Sequence, residues 1–180
     1  EAWIYKNELG DERIIDKINV GFANGPFMFD TYNGVRLLGG STNGVFAVTA
    51  PVTVPLNTWT HVAATCDVSS GELKIYVNGV LEASGSMTGS LLNNSIAMCI
   101  GAGGGGGIPA DGTYNGSIDE VRVWNKARSQ AEIQADMNCE ITNTETGLVA
   151  AYHFNQGLAG GVNTSETILT DASGTGNNGT

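Results

Sequence analysis

The sequence predicts an all-β fold, an antiparallel sandwich of two sheets with one short helix. Short runs rich in β-branched and aromatic residues follow one another along most of the 180 residues. Gly, Asn, Ser or Pro separates nearly all of these runs, and only one segment carries a helix-start signal. The 26 glycines are far above average usage and indicate many turns. This spacing is typical of a sandwich rather than of alternating strands and helices.

The predicted strands follow at short intervals in chain order. They are AWIYK, RIIDKINV, PFMFDTY, VRLLG, VFAVTAPVTV, THVAATCDV, ELKIYV, VLEASGSM, SIAMCIG, SIDEVRVWN and LVAAYHFN. Between the seventh and eighth runs stands Asn78-Gly79. Both central residues of a type I′ turn need positive φ, which Asn and Gly tolerate best, so we expect a tight hairpin flanked by Val77 and Val80.

The helix is predicted near residues 129–137. Ser129 is followed three residues later by Glu132, the spacing of a capping box, in which each side chain satisfies a backbone N–H of the first turn. Ile133 and Met137 then share one helical face.

The chain divides by composition into residues 1–138, one domain, and residues 139–180. The second part holds a polar linker, a return strand and a Gly/Asn-rich tail. The tail is poor in apolar residues, so we expect it to lie extended along the surface or to be partly mobile.

The charge excludes several partners. A net charge of −10 repels phosphate backbones and anionic lipid, which argues against nucleic acid, and no apolar run is long enough for membrane insertion. Neutral sugars and divalent cations remain compatible. Cys66, Cys99 and Cys139 form no CxxC pair. They are either buried small side chains, or Cys66 and Cys99 form a disulfide.

Catalytic patterns are absent, so we expect no enzyme activity. The Glu-x-Asp-x-x-Glu pattern of retaining glycosidases does not occur, and the adjacent Asp119 and Glu120 face opposite sides of a strand. The stretch GAGGGG at 101–106 is not followed by a helix and is interpreted as a loop. His61 and His153 lie far apart within strand patterns, which gives no support for a Ser/His/Asp triad.

A series of motifs in a fixed order carries a family resemblance. They are Trp59-x-His61-Val62, the Tyr76–Gly79 hairpin, Ile100-Gly101, and GSIDEVRVW followed by ARSQAEI. Over about residues 1–137 the chain resembles the laminin-G-like, concanavalin-A-like jelly-roll domains of secreted bacterial proteins, and more distantly the pentraxins.

The resemblance implies that a strand normally precedes EAWIY and is missing here. The tail resembles segments that flank such domains in tandem surface proteins. We therefore expect one unit of a longer secreted protein, with an edge open to pairing by a neighbouring copy or by the tail.

The resemblance also implies metal and ligand residues. Ile118 has a different parity from Val121 and Val123, which predicts a β-bulge at Asp119-Glu120. In similar jelly-roll hydrolases the matching Asp helps to hold calcium, so Asp119 is the leading candidate ligand. Asp111, in the loop that binds calcium in pentraxins, is the second. The alternative for Asp119 is a surface carboxylate paired with Arg122 or Arg128.

Glycan binding in such folds uses exposed aromatic side chains beside polar groups. The candidates are Tyr32, Asn33 and Tyr114, with Asp111 beside them, although packing is an equally good interpretation for each tyrosine. Three tryptophans match family core positions and are expected to be buried: Trp3, Trp59 and Trp124. His61 is expected to pack with a satisfied hydrogen bond.

These observations lead to three functional hypotheses. The first is a non-catalytic extracellular recognition or adhesion module at the cell surface, which binds polysaccharide or a cell-surface glycan with calcium as a candidate cofactor. The second is a structural repeat that pairs with neighbouring copies through open strand edges. The third is an accessory module of a polysaccharide-degrading enzyme.

Overall fold

The computed structural model describes residues 1–18, 24–103, 112–141 and 145–180, which contain one helix and twelve strands. The helix α1 is Gln130–Asp136. The strands are β1 Ala2–Lys6, β2 Arg13–Asp16, β3 Met28–Asp30, β4 Val35–Ser41, β5 Gly44–Ala50, β6 Thr60–Asp67, β7 Glu72–Val77, β8 Val80–Ser86, β9 Cys99–Ile100, β10 Gly116–Asp119, β11 Val121–Trp124 and β12 Leu148–Tyr152. No helix in these residues is long and apolar enough to cross a membrane.

The strands form two five-stranded antiparallel sheets and one two-stranded ribbon. The first sheet has the order β10-β1-β6-β7-β8, and the second has the order β5-β4-β3-β2-β9. β11 pairs with β12 alone. Two large sheets with one short helix confirm the predicted jelly-roll sandwich.

The core lies between the two sheets and is built by alternate residues. In β1, Ala2 and Ile4 are fully buried, whereas Trp3 and Tyr5 on the other face are partly exposed. The inward side chains of the second sheet come mainly from β3, β4 and β5 and include Phe29, Leu37 and Phe46. Burial of such side chains removes apolar area from water and is the main stabilising term.

The predicted hairpin is confirmed. Asn78 and Gly79 have φ of 49° and 73°, and Val77 pairs with Val80. The carbonyl of Gly79 accepts hydrogen bonds from the side-chain amides of Gln130 (3.0 Å) and Gln134 (2.8 Å). The hairpin therefore holds α1 against the outer face of the first sheet.

The helix begins as the capping box predicts. The Ser129 hydroxyl accepts from the backbone N–H of Glu132, and the Glu132 carboxylate accepts from the backbone N–H of Ser129 at 2.7 Å. Ile133 is the buried residue of the helix and packs on Ala63 and Tyr76.

The predicted bulge is also confirmed. Glu120 has φ of 49°, and this residue divides the run into β10 and β11. Because the bulge resets the alternation, Val121 is fully buried while Ile118 still packs against the same core.

The end of the chain differs from the expected extended tail. Residues 157–168 are exposed, but Asp171 and Ser173 are buried against β12. The Asp171 carboxylate accepts from the N–H groups of Ala151, Ser173 and Asn177, at 2.9 to 3.0 Å. These hydrogen bonds fold the last residues onto the ribbon and lower the pKa of Asp171, although burial alone would raise it.

Several side chains differ from their expected environments. The family position predicts a buried Trp59, but its side chain is 44% exposed, because it precedes β6 at the sheet margin, where the tilted ring of Tyr5 lies 5.6 Å away. Trp3 and Trp124 are half-buried. Cys66, Cys99 and Cys139 are free thiols, so no Cys66–Cys99 disulfide is present.

Candidate functional site

Two of the sequence-predicted ligand residues, Tyr32 and Asn33, line a surface groove of about 400 Å³. We call it the Tyr32 groove. Its walls are the end of β1, the loop before β2, the β3–β4 turn and the segment after β5. The lining residues are Lys6, Leu9, Gly10, Asp11, Thr31, Tyr32, Asn33, Gly34, Pro51, Val52, Thr53 and Val54.

The β3–β4 turn gives the groove its aromatic wall. Asn33 has φ of 53° and Gly34 has φ of 126°, which together reverse the chain. A Cβ on Gly34 would lie 2.1 Å from the carbonyl oxygen of Ala50, so only glycine fits. Tyr32 is 44% exposed, and the Arg36 guanidinium lies 4.5 Å from the centre of its ring. This cation–π contact fixes the ring orientation.

The floor of the Tyr32 groove is a buried ion network. Asp30 is fully buried and accepts from Arg36 Nη2 at 2.5 Å and from Arg13 Nη1 at 3.0 Å. Lys6 Nζ lies 3.1 Å from Glu12 Oε2 and donates to the Thr31 hydroxyl at 2.7 Å. Arg13 also pairs with Asp11 at 2.7 Å and with Asp16 at 3.6 Å. Three cations therefore face four carboxylates, every charge has an opposite partner, and the floor is close to neutral.

A second groove of about 350 Å³ lies on the far side of β1. We call it the Trp59 groove. Its lining residues are Trp3, Trp59, Asp119, Glu120, Met137, Asn138, Cys139 and Glu140. The Trp3 indole N–H donates to the Met137 carbonyl at 2.7 Å, which joins this wall to the end of α1.

The carboxylates of the bulge have different partners. Glu120 accepts from Arg122 Nη2 at 2.9 Å and lies 2.8 Å from His153 Nδ1. Asp119 accepts from the backbone N–H of Glu120 at 2.9 Å and forms no ion pair within the described residues. Burial raises the pKa of Asp119, and the carboxylates of Glu120 and Glu140 act in the same direction. The expected pairing with Arg122 therefore falls to Glu120, not Asp119.

The predicted calcium ligands are Asp119 and Asp111. Within the described residues, no group of three or more His, Cys, Asp or Glu side chains is placed to hold a metal ion. Asp111 and residues 104–106 of the glycine-rich loop lie outside the described residues. Calcium binding at Asp119 and Asp111 therefore stays a prediction.

Tyr114 lies away from both grooves. Its ring packs against the central core, and its hydroxyl is buried without a hydrogen-bond partner. Burial raises the pKa of this phenol well above its usual value. The structure brings Tyr32 and Asn33 together but does not bring Tyr114 to them.

His61 is buried and packs edge-on against Trp3, with ring centres 5.5 Å apart. Its Nε2 lies 3.5 Å from Glu1 Oε2, and burial lowers the pKa of its imidazole. The packing role expected for His61 is confirmed, although its Nδ1 has no hydrogen-bond partner.

A third cavity, of about 270 Å³, opens between the two sheets. Its interior is apolar and includes Phe27, Phe29 and Phe46. The arginines at its rim, Arg122 and Arg128, are already occupied by Glu1 among other partners. This cavity offers few free polar groups to a hydrophilic ligand.

Sequence comparison identifies the family. The profile of a laminin-G family, described as the concanavalin A-like lectin/glucanases superfamily, matches residues 1–134. The chain belongs to this family. No functionally curated protein shows a significant sequence match to it.

Solved structures share the fold at low identity. A candidate carbohydrate-binding protein from Bacteroides ovatus matches 95% of this chain and 48% of its own, with a TM-score of 0.73 and 22% identity. The chain thus spans about half the length of that protein. The heptameric SAP-like pentraxin of Limulus polyphemus matches 74% of this chain and 65% of its own, with a TM-score of 0.57 and 17% identity.

A third similar structure is domain 4 of an extracellular GH43 arabinanase from Geobacillus stearothermophilus, solved with arabinotriose. It matches 74% of this chain and 63% of that chain, with a TM-score of 0.56 and 20% identity. At these identities the likeness shows the fold.

Sequence reasoning missed the network below Tyr32 and the exposure of Trp59. The network joins Arg13, Asp30 and Arg36 from three strands, so no short sequence pattern predicts it. One signal was available for Trp59: it follows Asn57, a turn-forming residue whose φ is 55°.

Proposed function

We propose that this chain is an extracellular, non-catalytic glycan-binding module and that the Tyr32 groove receives the glycan. The observation that carries the proposal is an exposed tyrosine ring held over a floor whose charges are all paired. Such a floor favours a neutral, hydroxyl-rich ligand over a strongly charged one.

The chemistry of the groove suits a sugar ring. The C–H face of a pyranose or furanose packs on an aromatic face, and Tyr32 presents its ring with the orientation fixed by Arg36. The Asn33 amide supplies both donors and an acceptor beside it. Gly10 and Thr31 already bond Lys6, which keeps that cation within the floor.

The similar structures support the same class of ligand. The Bacteroides protein is a candidate carbohydrate-binding protein, and the arabinanase domain was solved with arabinotriose. The arabinanase likeness also supports a role as an accessory module of a polysaccharide-degrading enzyme, in which this same groove would hold substrate.

Assembly with neighbouring copies is the second candidate. β8 is an outer strand of the first sheet, and its Val80 and Leu81 are 51% and 40% exposed. An uncovered strand edge with exposed apolar side chains can pair with another chain.

The first experiment is an array of neutral and acidic polysaccharides, probed with the purified chain in calcium and again in EDTA. We expect saturable binding to a neutral glycan. Tyr32→Ala should weaken it by about fivefold, since loss of a stacking ring costs roughly 1 kcal/mol. Trp59→Ala removes an equally exposed aromatic residue and is the matched control.

Each outcome separates the candidates. Binding lost in EDTA supports the calcium prediction and makes Asp119 and Asp111 the next variants. Binding that is equal in Tyr32→Ala and the parent chain contradicts the proposed groove. No binding to any glycan, with concentration-dependent self-association in sedimentation, favours the assembly role.

A further inference from the structure

The Trp59 groove has a chemical character that glycan binding does not use. Three carboxylates line it, from Asp119, Glu120 and Glu140. Arg122 is buried and already pairs with Glu120, and Asp119 has no cationic partner within the described residues. The groove therefore carries negative charge that is not balanced within the described part of the chain.

Aromatic walls stand beside this charge. Trp59 is 44% exposed, and Trp3 lines the same groove with its indole N–H bonded to the Met137 carbonyl. Indole faces attract cations through their quadrupole, most strongly where water is partly excluded. Carboxylates and indoles around one space favour an organic cation.

His153 lies behind two of these carboxylates. Its side chain is nine-tenths buried, with Nδ1 2.8 Å from the Glu120 carboxylate and Nε2 4.0 Å from Glu140 Oε1. His153 does not line the groove itself. Asp119 is therefore the carboxylate of the groove that has no ion pair within the described residues.

We propose that the Trp59 groove binds the guanidinium or ammonium group of an arginine or lysine side chain presented by a protein partner. The cation would lie on Trp59 and pair with Asp119. A bare metal ion fits less well, because within the described residues no three side chains converge as metal ligands. The net charge of −10 favours approach of a basic partner.

The test is an NMR titration of the ¹⁵N-labelled chain with the peptide acetyl-Gly-Arg-Gly-amide, repeated with its lysine counterpart. Acetyl-Gly-Gln-Gly-amide is the uncharged control. We expect saturable shifts at the Trp59 and Trp3 indole N–H signals with the cationic peptides, and none with the glutamine peptide.

Two variants make the test specific. Asp119→Asn keeps an oxygen to accept from the Glu120 N–H but removes the charge, and it should weaken binding about fivefold or more. Trp59→Ala should weaken it by a similar factor, while Tyr32→Ala should leave it unchanged. Shifts of equal size with the glutamine peptide, or full affinity in Asp119→Asn, would overturn the proposal.

The two proposals fail separately. Loss of glycan binding in Tyr32→Ala with intact cation binding supports both. A silent glycan array leaves the cation titration as an independent measurement, because the two grooves share no lining residue.

Discussion

The Tyr32 groove and the Trp59 groove present aromatic residues with the same exposed fraction, yet they differ in how charge is balanced. Under Tyr32 the buried carboxylate of Asp30 pairs with two arginines. Around Trp59 the carboxylates outnumber the cations. An exposed aromatic ring therefore does not identify a ligand by itself, and the two proposed ligands, a neutral sugar and a cation, differ because the balance of charge beside each ring differs.

The largest expected effect comes from the floor of the Tyr32 groove. Asp30→Ala removes the shared partner of the buried Arg13 and the half-buried Arg36 and should lower the free energy of unfolding by about 3–5 kcal/mol. Urea denaturation measures it. The control is Glu72→Ala, whose solvent-exposed pair with Lys74 should contribute much less to stability than the buried Asp30 pairs. Equal costs would show that the floor is not held by charge pairing.

The next effect concerns the helix that borders the Trp59 groove. Gly79→Ala places a Cβ 2.8 Å from Gln134 Cγ at a φ of 73° and should cost about 2 kcal/mol. Gly174→Ala has similar φ, 79°, and nothing within 4 Å, so it isolates the backbone strain. The Trp3 indole NMR signal should move in Gly79→Ala alone, because its acceptor is the Met137 carbonyl. An unchanged Trp3 indole signal in Gly79→Ala would show that the position of α1 does not affect the Trp59 groove.

Salt should distinguish the two ligands. Raising sodium chloride from about 0.05 M to about 0.5 M shortens the Debye length and should weaken cation binding at the Trp59 groove by about threefold. Glycan binding at the Tyr32 groove should change little, since its floor is neutral. Isothermal titration at both salt concentrations measures this, and a parallel loss in both would refute the difference in charge balance.

The smallest effect is a pH dependence at the helix start. The Lys126 ammonium, followed by the N–H and hydroxyl of Ser129, lowers the pKa of Glu132 to about 2. Its folded pKa is below the ordinary 4.5, so its contribution is complete above pH 4.5 and is lost as the pH falls toward 2. Because the side chain is exposed, Glu132→Gln should cost only a few tenths of a kcal/mol at pH 7. Denaturation curves that differ equally at pH 7 and pH 2 would contradict this.

Local signals predicted the fold well. Asn78-Gly79 gave the hairpin, Ser129 with Glu132 gave the helix start, and the parity of Ile118 gave the bulge. Each depends on a few neighbouring residues, so the sequence displays it directly.

The candidate site was predicted only in part, because its geometry depends on distant residues. Tyr32 and Asn33 were found through their turn, but the arginines that neutralise Asp30 come from other strands. Burial of Trp59 was inferred from family position, and that inference was wrong because the neighbouring surface leaves it uncovered.

The pairing of β1 with β10 has a consequence for synthesis. Trp3 lies opposite Asp119. During synthesis, β1 therefore cannot pair with β10 until more than a hundred further residues have been added to the chain. At ribosomal speeds of about 5–20 residues per second, β1 has this edge unpaired for several seconds or more. Contacts so distant in sequence slow folding. The first sheet is therefore completed late, and nascent chains on neighbouring ribosomes have that interval in which to exchange strands.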